Sequence, residues 1–243
     1  VEQDTAEAIF KQFEDFAAYG FNKSHAACYA VIAYQTAYLK AYWPDAFMAA
    51  LLNSDCQNIE RVTIEVEECR RMGMEVLPPD INESFARFTV IKGQRKLRFG
   101  LLAIKGLGED IAEYVITERK AGGPYLDLVD LVARMKHKSF NRRSLEALIR
   151  SGALDRFSER NHLYFSIETI IDYHRQLTQE EGSGQFSLFA VGTGAAARSP
   201  LMLRPAPAAT QRELLAWEKE LLGLYLSAHP FQEYAKRLEG LYH

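Results

Sequence analysis

Six residues near the middle of the chain, Ile104-Lys105-Gly106-Leu107-Gly108-Glu109, have the types and spacing to hold a phosphate. Two glycines one residue apart let a backbone turn tightly and leave its N–H groups uncovered. Those N–H groups, with the start of the helix that follows, form an anion site that ignores base sequence. Leu107 is expected to point inward and pin the flanking helical segments together, and Lys105 to add a positive charge. A tight helix–helix turn that binds nothing would carry the same residues.

A related pattern lies about 45 residues further on, where Leu148-Ile149-Arg150-Ser151-Gly152-Ala153-Leu154-Asp155 again joins two helical patterns with small residues. Only one glycine remains in it, so it reads as a degenerate copy kept for symmetry and packing. Asn141-Arg142-Arg143 opens its first helix, and Arg142 and Arg143 are either phosphate contacts or solvated charges. Together the two units have the pattern of a tandem helix-hairpin-helix, a device that grips DNA backbone without reading bases. Charge agrees with this. Residues 1–75 hold 6 Lys+Arg against 12 Asp+Glu, whereas residues 87–150 hold 14 against 7. A basic block beside an acidic flank is the electrostatic footprint of a module that meets phosphates, although a solvated surface has it too.

A third feature, Gly20-Phe21-Asn22-Lys23-Ser24-His25, places a lysine and a histidine at a helix start. Such a spot suits a triphosphate, and an ordinary capped helix start explains it equally. No carboxylate pair, Ser/His/Asp set or metal-ligand spacing can be argued, so no catalytic residue, metal or cofactor is assigned to this chain.

The elements that must position these residues follow from periodicity. The chain has 243 residues, 48% hydrophobic and 25% charged, which is ordinary globular composition. Its three cysteines, Cys28, Cys56 and Cys69, make no disulfide or zinc pattern, and a reducing, cytoplasmic setting is expected. No apolar run reaches the roughly 20 residues of a membrane helix. The chain opens on Val1 and is expected to be a piece of a longer protein. Helices are predicted over 5–18, 24–42 (Ser24 as N-cap), 45–52, 57–72, 109–120, 127–135, 142–150, 158–178 (Ser158 as N-cap) and 211–226. Alanines 26, 27, 30, 33 and 37 suit close helix contact. Two β-type runs, 88–91 and 96–99, flank Lys92-Gly93-Gln94 as a hairpin. The expected fold class is mainly α with one small β-hairpin. Residues 179–210 read as a flexible linker holding one apolar island, Gln185-Phe186-Ser187-Leu188-Phe189.

Several long motifs resemble the alpha subunit of bacterial DNA polymerase III, a replicative C-family polymerase. They are 19–27 (Tyr-Gly-Phe-Asn-Lys-Ser-His-Ala-Ala), 34–40 (Tyr-Gln-Thr-Ala-Tyr-Leu-Lys), 44–51 (Pro-Asp-Ala-Phe-Met-Ala-Ala-Leu), Leu77 to Asn82, Phe99 to Gly108, 141–143, 151–153, and Glu218 to Pro230. The resemblance implies four parts: 1–75 as the end of the fingers domain, 76–178 as a tandem helix-hairpin-helix domain, 179–210 as linker, and 211–243 as a helix leading toward an oligonucleotide-binding fold. It implies that Asn22, Lys23, Ser24 and His25 serve the incoming nucleotide, and that Lys105, Gly106, Leu107, Gly108, Arg142 and Arg143 meet duplex DNA. Gln185, Leu188 and Phe189 resemble the peptide that binds the sliding clamp, the beta subunit; a staple packed back on the domain is the other reading of the island. Mg²⁺ and its carboxylates are implied for the parent enzyme, upstream of this chain, with other holoenzyme subunits as partners and no membrane. A stand-alone helix-hairpin-helix repair or scaffold protein is the alternative, which the acidic segment 1–75 argues against.

Overall fold

The computed structural model describes residues 2–19, 23–183 and 200–231. Gly20, Phe21 and Asn22 lie outside the described residues, as does the apolar island with Gln185, Leu188 and Phe189. The chain divides into two compact units, Val1–Phe47 and Met48–His243.

In the first unit, α1 (Gln3–Tyr19) and α2 (Lys23–Tyr42) follow the predicted periodicity. Ser24 lies inside α2, not at its N-cap. None of α2 is buried, and Ala27, Ala30, Ala33 and Ala37 are exposed. Tyr34, Tyr38 and Tyr42, spaced by four, form a ladder of ring contacts at 6.2 and 4.4 Å.

The second unit carries the core. Helix α3 (Pro44–Ser54) leads into α4 (Ile59–Arg71), which Asn58 caps by accepting the Arg61 N–H. A strand then forms just ahead of Pro78-Pro79. This β1 (Glu75–Leu77) pairs in parallel with β3 (Lys96–Arg98), which pairs antiparallel with β2 (Thr89–Val90). The sheet order is β1-β3-β2. The expected hairpin is therefore present with an added third strand. At the centre, Val76 and Val90 both sit opposite buried Leu97. Two asparagines extend the pairing with side-chain amides. Asn53 donates to Phe88 O and accepts its N–H, and Asn82 does the same for Tyr125.

A short 3-10 turn at Leu101–Ala103 precedes α5 (Glu109–Gly122), then come α6 (Leu128–Arg134), α7 (Arg142–Arg150) and α8 (Arg160–Phe165). Helix α9 (Ile167–Ser183) and α10 (Gln211–Leu221) complete the unit. The single helix expected over 158–178 is thus broken at Ser166. There the Ser166 N–H turns back to Leu163 O while its hydroxyl accepts the Arg204 N–H. The cap is Glu159, not Ser158: one carboxylate oxygen accepts the N–H groups of Asn161 and His162, the other that of Ala209. Residues 200–209 have no helix or strand yet are held on α8, since Asn161 and His162 also reach Pro207 O and Ala206 O. Helix α10 stops five residues short of its expected end, because the buried Glu218 carboxylate accepts the N–H groups of Leu226 and Ser227 and folds the chain back.

Candidate nucleic-acid interface

Local sequence builds the first hairpin as its glycines require. Ile104 is fully packed and extended (φ −80°, ψ 115°), Gly106 takes φ +89°, and Leu107 turns inward to 7% exposure. Gly108 then takes the N-cap of α5 with no side-chain cap. Four N–H groups at a helix start have no partner within the helix, and here no side chain covers them. Among the described residues, the N–H groups of Gly106 and Gly108 also lack a partner. Those of Lys105 and Leu107 are used, by Leu221 O and Ile104 O.

The hairpin borders a cleft of about 400 Å³ lined by Gly106, Leu107, Gly108, Ile111, Ser139, Asn141, Arg143 and Ser144. Its far wall is the start of α7. Asn141 and Ser144 form a reciprocal capping box that orients that helix. A Cβ on Gly106 would stand 3.8 Å from Arg143 Nε, so this guanidinium lies beside the hairpin. Lys105 is exposed. Arg142 is directed elsewhere, paired with Glu168 of α9 and absent from the cleft lining. The structure therefore joins Gly106, Leu107, Gly108 and Arg143 in one cleft, with exposed Lys105 next in the chain but outside its lining, and pairs Arg142 with Glu168 instead. Sequence reasoning singled out neither Ser139 nor Ser144; the Asn-x-x-Ser spacing of the capping box was the available signal.

Much of the basic surplus over 87–150 is structural. Arg119 is 8% exposed and donates to the carbonyls of Ile81 and Ser84 at 2.8 Å, with its charge over the Phe85 ring. Desolvation lowers its pKa, a direction the nearby acidic groups oppose. Arg134 joins Glu118, Asp130 and Gly123 O, and Arg98 joins Glu83 and Pro78 O. With these cations engaged, Lys105 and Arg143 stand out as charges available beside the free amides.

Elsewhere, Lys23, Ser24 and His25 form the exposed first turn of α2, with the His25 ring 4.4 Å from Tyr29. Among the described residues no group of three or more His, Cys, Asp or Glu side chains could hold a metal ion, and no helix is long and apolar enough to cross a membrane. Cys28 is exposed, Cys56 half-buried and Cys69 buried, and none of them forms a disulfide among the described residues.

Comparison with known proteins agrees with this geometry. A family model described as helix-hairpin-helix motif matches residues 73–163, which contain the cleft. The chain is 41% identical over 239 residues to the DNA polymerase III subunit alpha of Vibrio cholerae, covering 98% of this chain and 20% of that protein. The subunit of the same name is 42% identical over 242 residues in Neisseria meningitidis serogroup B and 38% identical over 234 in Thermus aquaticus. The chain spans about a fifth of the length of these relatives. Over that stretch the chain is homologous to the bacterial DNA polymerase III alpha subunit.

Proposed function

We propose that this stretch holds duplex DNA by its backbone within a replicative polymerase. A phosphate enters the cleft, accepts the N–H groups of Gly106 and Gly108 and of the first turn of α5, and meets the charges of Lys105 and Arg143. The observation that carries this reading is the pair of unpartnered amides on Gly106 and Gly108, two glycines that line one open cleft with Arg143. The test is fluorescence anisotropy of the 243-residue chain with labelled duplexes of several sequences over a salt series. Affinity should ignore sequence and fall with salt by a log–log slope of about −0.9 per phosphate neutralised. Gly106→Val with Gly108→Val should abolish it. Salt-independent binding, or unchanged binding by that double variant, would refute the reading.

The whole protein, in this proposal, is a Mg²⁺-dependent DNA-directed DNA polymerase. Its metal-binding carboxylates lie outside this chain, and Asn22, Lys23, Ser24 and His25 in the fingers serve the incoming nucleotide. The isolated chain should then extend no primer with Mg²⁺ and all four nucleotides, and extension free of contaminating polymerase would move the active site into it. Residues 184–191 bind the sliding clamp, with Gln185 for hydrogen bonds and Leu188 and Phe189 as apolar anchors. A micromolar affinity, about −8 kcal/mol, suits so few anchors. Leu188→Ala with Phe189→Ala should abolish clamp binding and leave DNA affinity intact; loss of DNA binding would make the island a structural staple instead.

A further inference from the structure

Helix α10 touches the two elements that carry the cleft walls, the hairpin at Lys105 and α7 at its far end. The Lys105 N–H, inside the DNA hairpin, donates to Leu221 O in the last turn of α10 at 2.9 Å. One residue earlier, Glu220 pairs with Arg150 at the end of α7, and the Arg150 guanidinium lies 5.7 Å from the Trp217 ring. Trp217 also contacts Tyr164 of α8 at 5.5 Å, and Leu215 and Leu221 are buried. The start of α10 is fixed as firmly. Thr210 and Glu213 form a reciprocal capping box, and the preceding residues 204–209 are hydrogen-bonded to Glu159, Asn161, His162 and Ser166. Beyond its end, Arg70 of α4 holds the carbonyls of Tyr225 and Leu226 while Glu218 holds the N–H groups of Leu226 and Ser227.

Helix α10 is thus a braced rod whose last carbonyls sit at the hairpin and whose side packs on α7. Among the described residues the hairpin has no other backbone hydrogen bond to a distant element: Leu107 N–H closes locally on Ile104 O, and the N–H groups of Gly106 and Gly108 have no partner. We propose that α10 is the positioning element of the phosphate cleft, setting through Leu221 and Arg150 the distance between the Gly106 amides and Arg143. Leu221, Glu220 and Trp217 are then positioning residues that touch no DNA. The inference rests on the backbone-binding reading of the cleft.

Electrostatics and positioning predict opposite signs, which makes a clean test. Glu220→Ala with Trp217→Ala removes a carboxylate and releases Arg150, so simple charge attraction would tighten DNA binding. Positioning predicts weaker binding by roughly threefold to tenfold with the salt slope unchanged, because no phosphate contact is removed. A second variant leaves every side chain in place: an amide-to-ester replacement at Lys105 deletes the N–H that meets Leu221, and also weakens Ile104 O as the acceptor of Leu107 N–H. It should weaken binding in the same range at constant slope, whereas Lys105→Ala should reduce the slope by about 0.9. Wild-type affinity in the ester variant, or tighter binding in the Glu220/Trp217 variant, overturns the proposal. Failure of the wild-type chain to show salt-dependent binding refutes the cleft reading itself and takes the positioning role with it.

Discussion

Hairpins 104–108 and 150–155 make nearly the same backbone turn, with φ of +89° at Gly106 and +85° at Gly152. Their amides go to different places. In the second hairpin Gly152 N–H donates to Ile149 O, Ala153 N–H to Leu148 O and Asp155 N–H to Gly152 O, while Ala153 O accepts the Ile81 N–H. The space over the glycine is also filled. A Cβ on Gly152 would lie 2.2 Å from Arg160 Nη2, a guanidinium that grips Asp155 and the Arg150 carbonyl. Over Gly108 nothing stands within 4 Å. A glycine turn is therefore not in itself an anion site. What distinguishes the two is whether a side chain from the same domain has already taken the bare face and whether the N–H groups remain unpaired.

The comparison breaks most readily at Arg160. Arg160→Ala should lower unfolding free energy by about 3 kcal/mol in urea titrations, since it strips charged hydrogen bonds from a guanidinium that is only 8% exposed. Gly152→Val should do comparable damage by forcing a β-branched residue to positive φ against that guanidinium. DNA affinity per folded molecule should survive both; its loss would mean that the second hairpin also binds.

The first hairpin should respond the other way. Gly106→Ala should lower stability by about 1–2 kcal/mol, the usual penalty for a left-handed backbone. Gly108→Ala has φ −72° and open space, so its stability should stay within about 1 kcal/mol while the added methyl obstructs the phosphate. Equal affinity for Gly108→Ala and wild type would contradict close backbone approach.

Such stabilities need a fixed pH. Glu65, buried on α4, has its carboxyl pushed up to about 7, first by burial and then by the hydrogen bond and charge of Asp55. A folded-state pKa above the unfolded one makes the folded chain hold the extra proton. Its stabilising contribution is full below the ordinary carboxylate range, falls as pH rises toward about 7, and is absent above. Glu65→Gln should flatten that decline in denaturation curves at pH 5 to 8, and hairpin variants should run parallel to wild type across it. The smallest contrast separates two adjacent arginines. Arg143→Ala should reduce the salt slope by about 0.9, and Arg142→Ala, already paired with Glu168, should reduce it by less.

What was legible in the sequence was local. Asn141 before an apolar-periodic run and Ser151-Gly152 after it delimit α7, and the two glycines at 106 and 108 marked the open hairpin. Features that depend on distant partners were not legible. Three residues ahead of Pro78 become β1 only because β3 lies alongside in parallel. Ser166 breaks a periodic helix because Arg204 arrives at its hydroxyl. Arg119 contributes to the basic surplus in the sequence but is buried, and its loss would leave two carbonyls unsatisfied. Arg142 and Arg143 are identical in type, and only their surroundings, Glu168 for one and the cleft for the other, tell them apart.

The bond between Lys105 and Leu221 has a consequence in time. A chain made from its N-terminus presents the Gly106 turn long before residue 221 exists, so the Lys105 amide waits through more than half the domain's synthesis for its acceptor. Pairing so distant in sequence makes folding slow, because loop closure must precede the contact. The nascent helix-hairpin-helix segment can acquire its helices as they emerge, since domains fold progressively during synthesis. If α10 positions the cleft as proposed, a competent DNA grip waits until the polypeptide has passed residue 221.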